Sequence, residues 1–205
     1  NNAAAALEAY RAAVSEGRTD SLFLEREPSA SSDMSLEYNQ IFHMAKAWAQ
    51  RGQGLYQSEE LLGAILGSLQ WMYENRFGQD EIENNENAWR DHTLTNWYDW
   101  QIASPQYLVD IMMLVEEYLT PEQKENYLAM FEHYLYEHCY SSMFSDAGMN
   151  VLYTVECWIG AAILQSDASQ AQEAVSALHN CFSWADSFPT GEGFYTDGSC
   201  LFHYK

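Results

Sequence analysis

Three short segments of the chain contain the residue types that could bind or transform a polar ligand. Each segment lies where one predicted helix ends and the next begins. Together they hold flat aromatic rings, carboxamides, glycines and one imidazole, groups that can stack on a sugar ring, donate hydrogen bonds and move a proton. The segments are Asn96–Trp100, Phe144–Asn150 and Gly191–His203.

The first segment is dense in aromatic rings. Trp97, Tyr98 and Trp100 stand directly before a predicted helix start, and Asn96 precedes them. One interpretation is that these rings anchor the loop in the core. The other is a platform for pyranose rings, whose apolar C–H faces pack on rigid aromatic side chains. Under the second interpretation Asn96 and Trp100 contribute to substrate binding with Trp97 and Tyr98.

The other two segments each end on a polar residue that has an ordinary structural explanation. Asn150 begins a predicted helix, where asparagine is commonly only a cap, and Phe144 lies six residues earlier. Glycines between Gly191 and Gly198 allow tight turns and close approach of the backbone to a ligand. His203 ends this loop and is either structural or a catalytic base, and the residues alone leave both roles open.

Helices must position all three segments, because the sequence has helical periodicity throughout. Pro and Gly are few, 4 and 11, and helices joined by short turns pack as antiparallel neighbours. We therefore predict an all-α fold, a partial (incomplete) α/α toroid of antiparallel helical hairpins, with residues 1–205 as a single α-helical domain of about seven helices. The predicted helix starts are Ser58, Ser104 followed by Pro105, the capping box Thr120–Gln123, and Asp167.

Composition excludes several classes of protein. Hydrophobic residues make up 47% of the chain, enough for a sizeable core, and the net charge is −21 with a pI near 4.3. A general nucleic-acid binder or a peripheral protein on anionic membranes needs a basic face, so neither is expected. No apolar run is long enough to span a bilayer, and no signal peptide is recognised. We predict buried thiols for most of the four cysteines, and no metal site, because HExxH is absent.

Read together, the three segments resemble polysaccharide lyase family 8, which contains hyaluronate, chondroitin AC and xanthan lyases. Residues 96–106 are similar to the family's Asn-Trp-Trp followed by Glu-Ile-Gly-x-Pro-Arg. Phe144 and Asn150 match its Phe and Asn at the same spacing. Gly191–His203 reproduces Gly-x-Gly-Phe-Tyr-x-Asp-Gly-Ser-x-x-x-His in full. The likeness covers nearly the whole chain.

The resemblance implies a function for individual residues. Asn150 would bind the uronate carboxylate, His203 would be the catalytic histidine, and Trp97, Tyr98 and Phe144 would form an aromatic patch that orients the polysaccharide. The family cleaves uronic-acid-containing polysaccharides by β-elimination with no obligatory cofactor. A carboxamide can donate hydrogen bonds to the uronate carboxylate and so stabilise the negative charge that develops on it in the transition state. An imidazole with an ordinary pKa of about 6.5 is neutral near pH 7 and can abstract the C5 proton.

The chain also departs from the family pattern. Gln101, Ala103 and Gln106 replace Glu, Gly and Arg, and Tyr98 replaces Trp. The family's catalytic Tyr, Arg and Glu follow the His at positions beyond Lys205. We therefore expect an N-terminal part of a longer lyase that is inactive alone, whose partners are an acidic polysaccharide and the C-terminal remainder of the same polypeptide. Secretion or a cell-surface location follows from the resemblance.

Two questions stay open at this stage. The net charge of −21 would repel a polyanion, so either Arg76, Arg90 and the remainder supply a positive cleft or the substrate is less charged than hyaluronan. The reaction could also differ. An inverting glycoside hydrolase would use two carboxylates, with Glu192 and Asp197 as candidates, and a non-catalytic glycan-binding domain would keep only the aromatic rings.

Overall fold

The computed structural model describes residues 2–24, 30–52, 54–76, 78, 96, 98–131, 149–181, 193–195, 197 and 199–201. It divides into two compact units, Asn1–Met130 and Phe131–Lys205, and each is described by itself. The described residues are predominantly helical, which confirms the predicted all-α class. The α-helices are α1 (Asn2–Glu16), α2 (Ser31–Ala49), α3 (Glu59–Asn75), α4 (Ser104–Val115), α5 (Pro121–Phe131), α6 (Met149–Gln165) and α7 (Ala168–Cys181).

Helix α2 is the central element of the first unit, because it packs against α1, α3 and α4. Its inward face carries Ile41, Met44 and Ala45, all fully buried. Leu61 and Ile65 of α3 are equally inaccessible. Burying one large aliphatic side chain stabilises a fold by about 1.5–3 kcal/mol, so this stripe fixes how α2 sits among its neighbours.

Local sequence signals set several helix starts as predicted. Ser58 Oγ accepts a hydrogen bond from the backbone N–H of Leu61 at 3.3 Å. Thr120 and Gln123 form a reciprocal capping box, with both side chain–backbone bonds at 3.1 Å. In the second unit Asp167 Oδ1 accepts from the backbone at Ser169 and Gln170. Each cap satisfies N–H groups that have no partner within the helix.

One predicted helix start is wrong. Ser104 does not cap a new helix, because the chain is already helical from Tyr98, and a π-helical turn, Asp99–Ala103, leads directly into α4. The Ser104 N–H donates to the carbonyl of Asp99, five residues back. Pro105 lacks an N–H and crowds the carbonyl four residues before it. The wider turn accommodates this proline without ending the helix.

A buried carboxylate holds the loop between α1 and α2. Glu37 of α2 is 1% exposed. Its Oε1 accepts the hydroxyl of Ser21 and the backbone N–H groups of Leu22, at 2.8 Å, and Phe23, at 3.3 Å. Its Oε2 has no hydrogen-bond partner among the described residues. The loop is therefore anchored in part by an acidic side chain of α2, beside hydrogen bonds that its carbonyl groups accept from Arg18 and from Trp71 of α3.

The second unit contains a helical hairpin and a short β-hairpin. Helices α6 and α7 pack against each other. Cys157 of α6 is a buried thiol, as predicted for most of the cysteines. Strands β1 (Gly193–Phe194) and β2 (Cys200–Leu201) pair antiparallel, with Gly193 opposite Leu201 and Phe194 opposite Cys200. The sequence analysis predicted only turns here. No helix within the described ranges is long and apolar enough to cross a membrane.

Glu37→Ala tests the carboxylate that holds the α1–α2 loop. We expect it to lower the free energy of unfolding by about 2–4 kcal/mol, because it leaves buried donors without an acceptor. The measurement is urea denaturation followed by circular dichroism. Glu117→Ala, at an exposed position, is the control and should change stability by less than about 0.5 kcal/mol. Equal losses in the two variants would contradict the proposed anchor.

Candidate functional site

The aromatic segment begins with a helix cap formed by Asn96. Its Oδ1 accepts the backbone N–H of Tyr98 at 3.2 Å, and its carbonyl accepts the N–H of Asp99 at 3.0 Å. Asn96 itself is exposed. Asn96, which was predicted to bind substrate, therefore caps the helix that carries Tyr98 and Trp100.

Asp99 attaches this helix start to α2. Asp99 is 6% exposed, and its Oδ2 accepts the hydroxyl of Ser31 at 2.7 Å. The Ser35 hydroxyl lies 3.3 Å from Oδ1 and 2.9 Å from the carbonyl of Ser32, so its single proton serves either of these two acceptors. Ser31 Oγ also accepts the backbone N–H of Asn96 at 2.9 Å. Hydrogen bonds to a charged acceptor are stronger than neutral ones, so this cluster fixes the aromatic segment on the first turns of α2.

An open cavity of about 470 Å³ lies between α2 and α4, next to the Asp99 cluster. Its volume falls within the range of about 300–1,000 Å³ that is typical of small-molecule sites. Its described lining residues combine two phenol rings, two carboxamides and two carboxyl groups, and none of these described residues is Lys, Arg or His. These side chains belong to Asn39, Tyr98, Asp99, Gln106, Tyr107 and Asp110.

A stack of rings supports one wall of this cavity. The ring of Tyr107 lies against that of Phe42 of α2, with centroids 5.6 Å apart and planes inclined by 43°. The ammonium of Lys46 lies over the Phe42 ring, 5.0 Å from its centroid. Tyr107 is half-buried, so one part of it packs on α2 while another faces the cavity. The wall is therefore partly rigid before any ligand binds.

The second unit holds the other two predicted segments. Asn150 lies in the first turn of α6, with its side chain outside the described residues. The described part of the Gly191–His203 motif is the β-hairpin. Tyr195, between the strands, is 6% exposed, and its backbone N–H donates to the carbonyl of Ser199 at 2.9 Å. The described residues of the glycine-rich motif thus pair as a short hairpin whose second strand ends at Leu201.

Asp197 closes the turn of this hairpin. Its Oδ1 accepts the hydroxyl of Ser199 at 2.7 Å and the Ser199 backbone N–H at 2.9 Å. These two bonds favour the ionised form and lower the pKa of the Asp197 carboxyl below its ordinary value. A carboxylate held in this way stabilises the turn locally and is poorly suited to donating a proton.

The structure brings together part of the predicted site. Asn96, Tyr98 and Trp100 lie in one turn, and of these Tyr98 lines the cavity. Trp97, Phe144 and His203 lie outside the described residues, as does the side chain of Asn150. Within the described part of the chain, no group of three or more His, Cys, Asp and Glu side chains could hold a metal ion.

Sequence reasoning did not single out the residues that support the aromatic segment or complete the cavity. Asp99 lies within the segment Asn96–Trp100 but carries no predicted role, and neither Ser31 nor Ser35 is among the predicted site residues. No sequence pattern pointed to Asn39 or Asp110 as residues of a site. A polar face recurring at i and i+4 on α2, at Ser35 and Asn39, was the available clue.

With the fold and this geometry in place, comparison with known proteins assigns the chain to the polysaccharide lyases. Residues 3–205 match the family described as polysaccharide lyase family 8, N-terminal alpha-helical domain. The chain belongs to this family.

Individual relatives agree with that assignment. The chain is 26% identical over 195 residues to hyaluronate lyase HylB of Enterococcus faecalis, covering 88% of this chain and 18% of the relative. It is 25% identical over 193 residues to xanthan lyase of Bacillus sp. strain GL1, covering 93% of this chain and 19% of the relative. The chain therefore spans about a fifth of the length of these curated relatives.

Solved structures show the same fold. Chondroitin AC lyase of Streptomyces coelicolor A3, solved with chondroitin sulphate, superposes with a TM-score of 0.76 at 21% identity, covering 98% of this chain and 26% of that one. Paenibacillus xanthan lyase gives a TM-score of 0.72 at 23% identity, covering 98% of this chain and 18% of that one. The predicted fold class, an incomplete α/α toroid, is confirmed.

Ser31→Ala tests the bonds that attach the aromatic segment to α2. It removes a donor to Asp99 and an acceptor for Asn96, so we expect the free energy of unfolding to fall by about 1–3 kcal/mol and the fluorescence of the nearby Trp100 to change. Ser32→Ala, at the exposed neighbouring position, is the matched control. The role assigned to Ser31 is wrong if the two variants have the same stability and the same emission spectrum.

Ser199→Ala tests the cause of the lowered Asp197 pKa. In the unchanged protein the carboxyl should titrate below the reference value of about 3.9, and its contribution to the turn is present above that pH and lost as pH falls through the lowered pKa. Removing the hydroxyl should raise the midpoint. Carbon-detected NMR of the Asp197 carboxyl measures the titration midpoint in the unchanged protein and in Ser199→Ala, with Ser176→Ala, on α7, as the control. An unchanged midpoint in Ser199→Ala would contradict this cause.

Proposed function

We propose that the protein is a polysaccharide lyase that cleaves a uronic-acid-containing polysaccharide by β-elimination, and that this chain carries part of the active site. The family match over residues 3–205 is the observation that carries the proposal. Relatives named as hyaluronate lyase and xanthan lyase support it. The cavity beside Tyr98 adds a geometric reason, because an aromatic ring at the edge of an open polar cavity is suited to a sugar.

The chemistry assigns separate functions to Asn150 and His203. The C5 proton of a uronide is weakly acidic while the adjacent carboxylate is ionised. A carboxamide that donates to this carboxylate stabilises the negative charge that develops as the proton leaves. Asn150 belongs to the first turn of α6, where the helix dipole also favours an anion. His203, in its neutral form, would accept the proton. The C4=C5 double bond forms as the C4–O glycosidic bond breaks, and the leaving oxygen takes its proton from an acid in the remainder of the polypeptide.

The glycoside hydrolase alternative has less support. An inverting enzyme needs both a general acid whose pKa is raised and an ionised general base, and the hydrogen bonds from Ser199 lower the pKa of Asp197, which suits only the second role. The other candidate carboxylate, Glu192, lies outside the described residues. A binding domain without chemistry would retain the cavity but would not need Asn150 or His203.

Two further properties belong to this proposal. The chain acts as the N-terminal α-helical domain of a longer lyase, with the rest of the polypeptide supplying the remaining catalytic groups. The protein acts outside the cell or at its surface, because a polymeric acidic substrate does not cross a membrane.

Asn150→Ala and His203→Ala test the proposed reaction in the full-length protein. We expect kcat to fall by about 10²–10³-fold when the carboxamide is lost and by about 10²–10⁴-fold when the base is lost. The readout is ultraviolet absorbance of the unsaturated uronide released from hyaluronan, chondroitin and xanthan. Ser176→Ala, outside the proposed site, should retain the activity. The 205-residue chain alone, which spans about a fifth of its relatives, should release no product.

The products also separate the alternatives. New reducing ends without ultraviolet absorbance would replace the lyase with a hydrolase. Binding without cleavage of any of the three polymers would leave a glycan-binding protein. Full activity in either alanine variant would remove that residue from the mechanism.

A further inference from the structure

Ser31 lies at the start of α2 and bonds to two residues of the aromatic segment at once. Its hydroxyl donates to Asp99 Oδ2 at 2.7 Å, and its Oγ accepts the backbone N–H of Asn96 at 2.9 Å. A hydroxyl has one proton to donate and two lone pairs, so it can make both bonds together. Ser31 is half-buried and Asp99 is 6% exposed, so water has little access to the bond between them.

These bonds reach Tyr98 through the backbone on both sides of it. Asn96 Oδ1 accepts the N–H of Tyr98 at 3.2 Å, and the Asn96 carbonyl accepts the N–H of Asp99 at 3.0 Å. Tyr98 is already helical, with φ −58° and ψ −39°, and it lines the cavity between α2 and α4. A shift of Asn96 or Asp99 would therefore move Tyr98 relative to the cavity.

Ser31 itself is not among the described residues that line the cavity, whereas Tyr98 and Asp99 are. An effect of Ser31 on a ligand in this cavity therefore passes through the residues that it holds. Removing its hydroxyl lowers the fraction of molecules in which Tyr98 is in place, and a ligand that needs this arrangement binds more weakly in proportion. Preorganisation of this kind changes affinity without any new contact to the ligand.

We propose that Ser31 and Asp99 are positioning residues for polysaccharide binding, which they control by holding Tyr98 beside the cavity. This inference rests on the proposed function, because it takes the ligand to be the polysaccharide that the lyase cleaves and Tyr98 to be one of the rings that it contacts. Neither positioning residue takes part in the elimination itself. Their loss weakens binding and leaves the reaction of the bound complex nearly unchanged.

A double-mutant cycle with Tyr98 tests this coupling without turnover. The full-length protein carrying Asn150→Ala, which suppresses cleavage, is titrated by calorimetry with hyaluronan, chondroitin and xanthan oligosaccharides. We expect Ser31→Ala to raise the dissociation constant by about three- to ten-fold, which is the scale of one hydrogen bond. In a Tyr98→Ala background the same change should alter it by less than about two-fold, because the effects of coupled residues are not additive.

Two serine variants separate positioning from loss of stability. Ser58→Ala removes the serine cap of α3, so it lowers stability on a similar scale, and it should leave the dissociation constant unchanged. Ser31→Thr keeps the hydroxyl and should bind within about two-fold of the unchanged protein. Circular dichroism at the titration temperature confirms that each variant is folded.

Asp99→Asn distinguishes hydrogen-bond geometry from charge. Its carboxamide oxygen can accept the Ser31 hydroxyl, and its NH2 group can donate to Ser35 Oγ. The proton of Ser35 can then go to the carbonyl of Ser32, 2.9 Å away. The bonds survive without the negative charge, so binding should stay within about three-fold, whereas Asp99→Ala should weaken it at least as much as Ser31→Ala does.

Steady-state kinetics with Asn150 intact give a second readout. Ser31→Ala should raise KM by about the factor found for the dissociation constant and leave kcat within about two-fold, because it removes binding that the ground state and the transition state share. A merely structural role would reduce the amount of active protein, and with it the apparent kcat, at an unchanged KM.

The inference fails if Ser31→Ala weakens binding no more than Ser58→Ala does, or if its full effect persists in the Tyr98→Ala background. It also fails if Asp99→Asn binds as weakly as Asp99→Ala, since the carboxylate would then act by its charge, or if none of the three oligosaccharides binds. The expected coupling without unsaturated product from the unchanged protein would overturn the proposed reaction and leave the positioning role supported. Unsaturated product together with additive effects of the Ser31 and Tyr98 changes would overturn the positioning role alone.

Discussion

The contact of the Asp99 carboxylate with Ser31 and Ser35 is the interaction on which the candidate site depends. It joins segments that are 68 and 64 residues apart in the sequence. A buried carboxylate is costly unless it is hydrogen-bonded, and here the first turns of α2 provide the donors. The Ser31 hydroxyl also accepts the backbone N–H of Asn96, so these bonds attach to α2 the helix start that carries Tyr98.

Two features of the chain make this contact possible. The π-helical turn places Asp99 within a continuous helix, since Pro105 requires the wider turn immediately before α4. The buried stripe of α2 fixes the direction of its other face, which carries Ser31, Ser35 and Asn39. The core therefore determines which polar groups of α2 remain available to the cavity, which lies beside the contact between α2 and α4.

The sequence was sufficient where local physics decides the structure. The caps at Ser58 and Thr120 can be predicted from the sequence because their hydrogen bonds are made within one helical turn. The glycine-rich motif indicated the family. The helix at Ser104 was misjudged because a serine followed by proline has the same pattern whether a helix begins there or continues. The Asp99 cluster and the cavity join distant segments, which a single sequence does not reveal.

The cavity has its walls on two helices that also pack against each other in the core. A molecule that occupies it contacts both, and it binds the folded chain but not the unfolded one. Ligand binding therefore raises the free energy of unfolding and the melting temperature. The increase in the free energy of unfolding is about 2.7 kcal/mol at a ligand concentration one hundred times the dissociation constant. Thermal denaturation can therefore rank unlabelled compounds, in the absence of any reaction, by how tightly each one binds the folded chain.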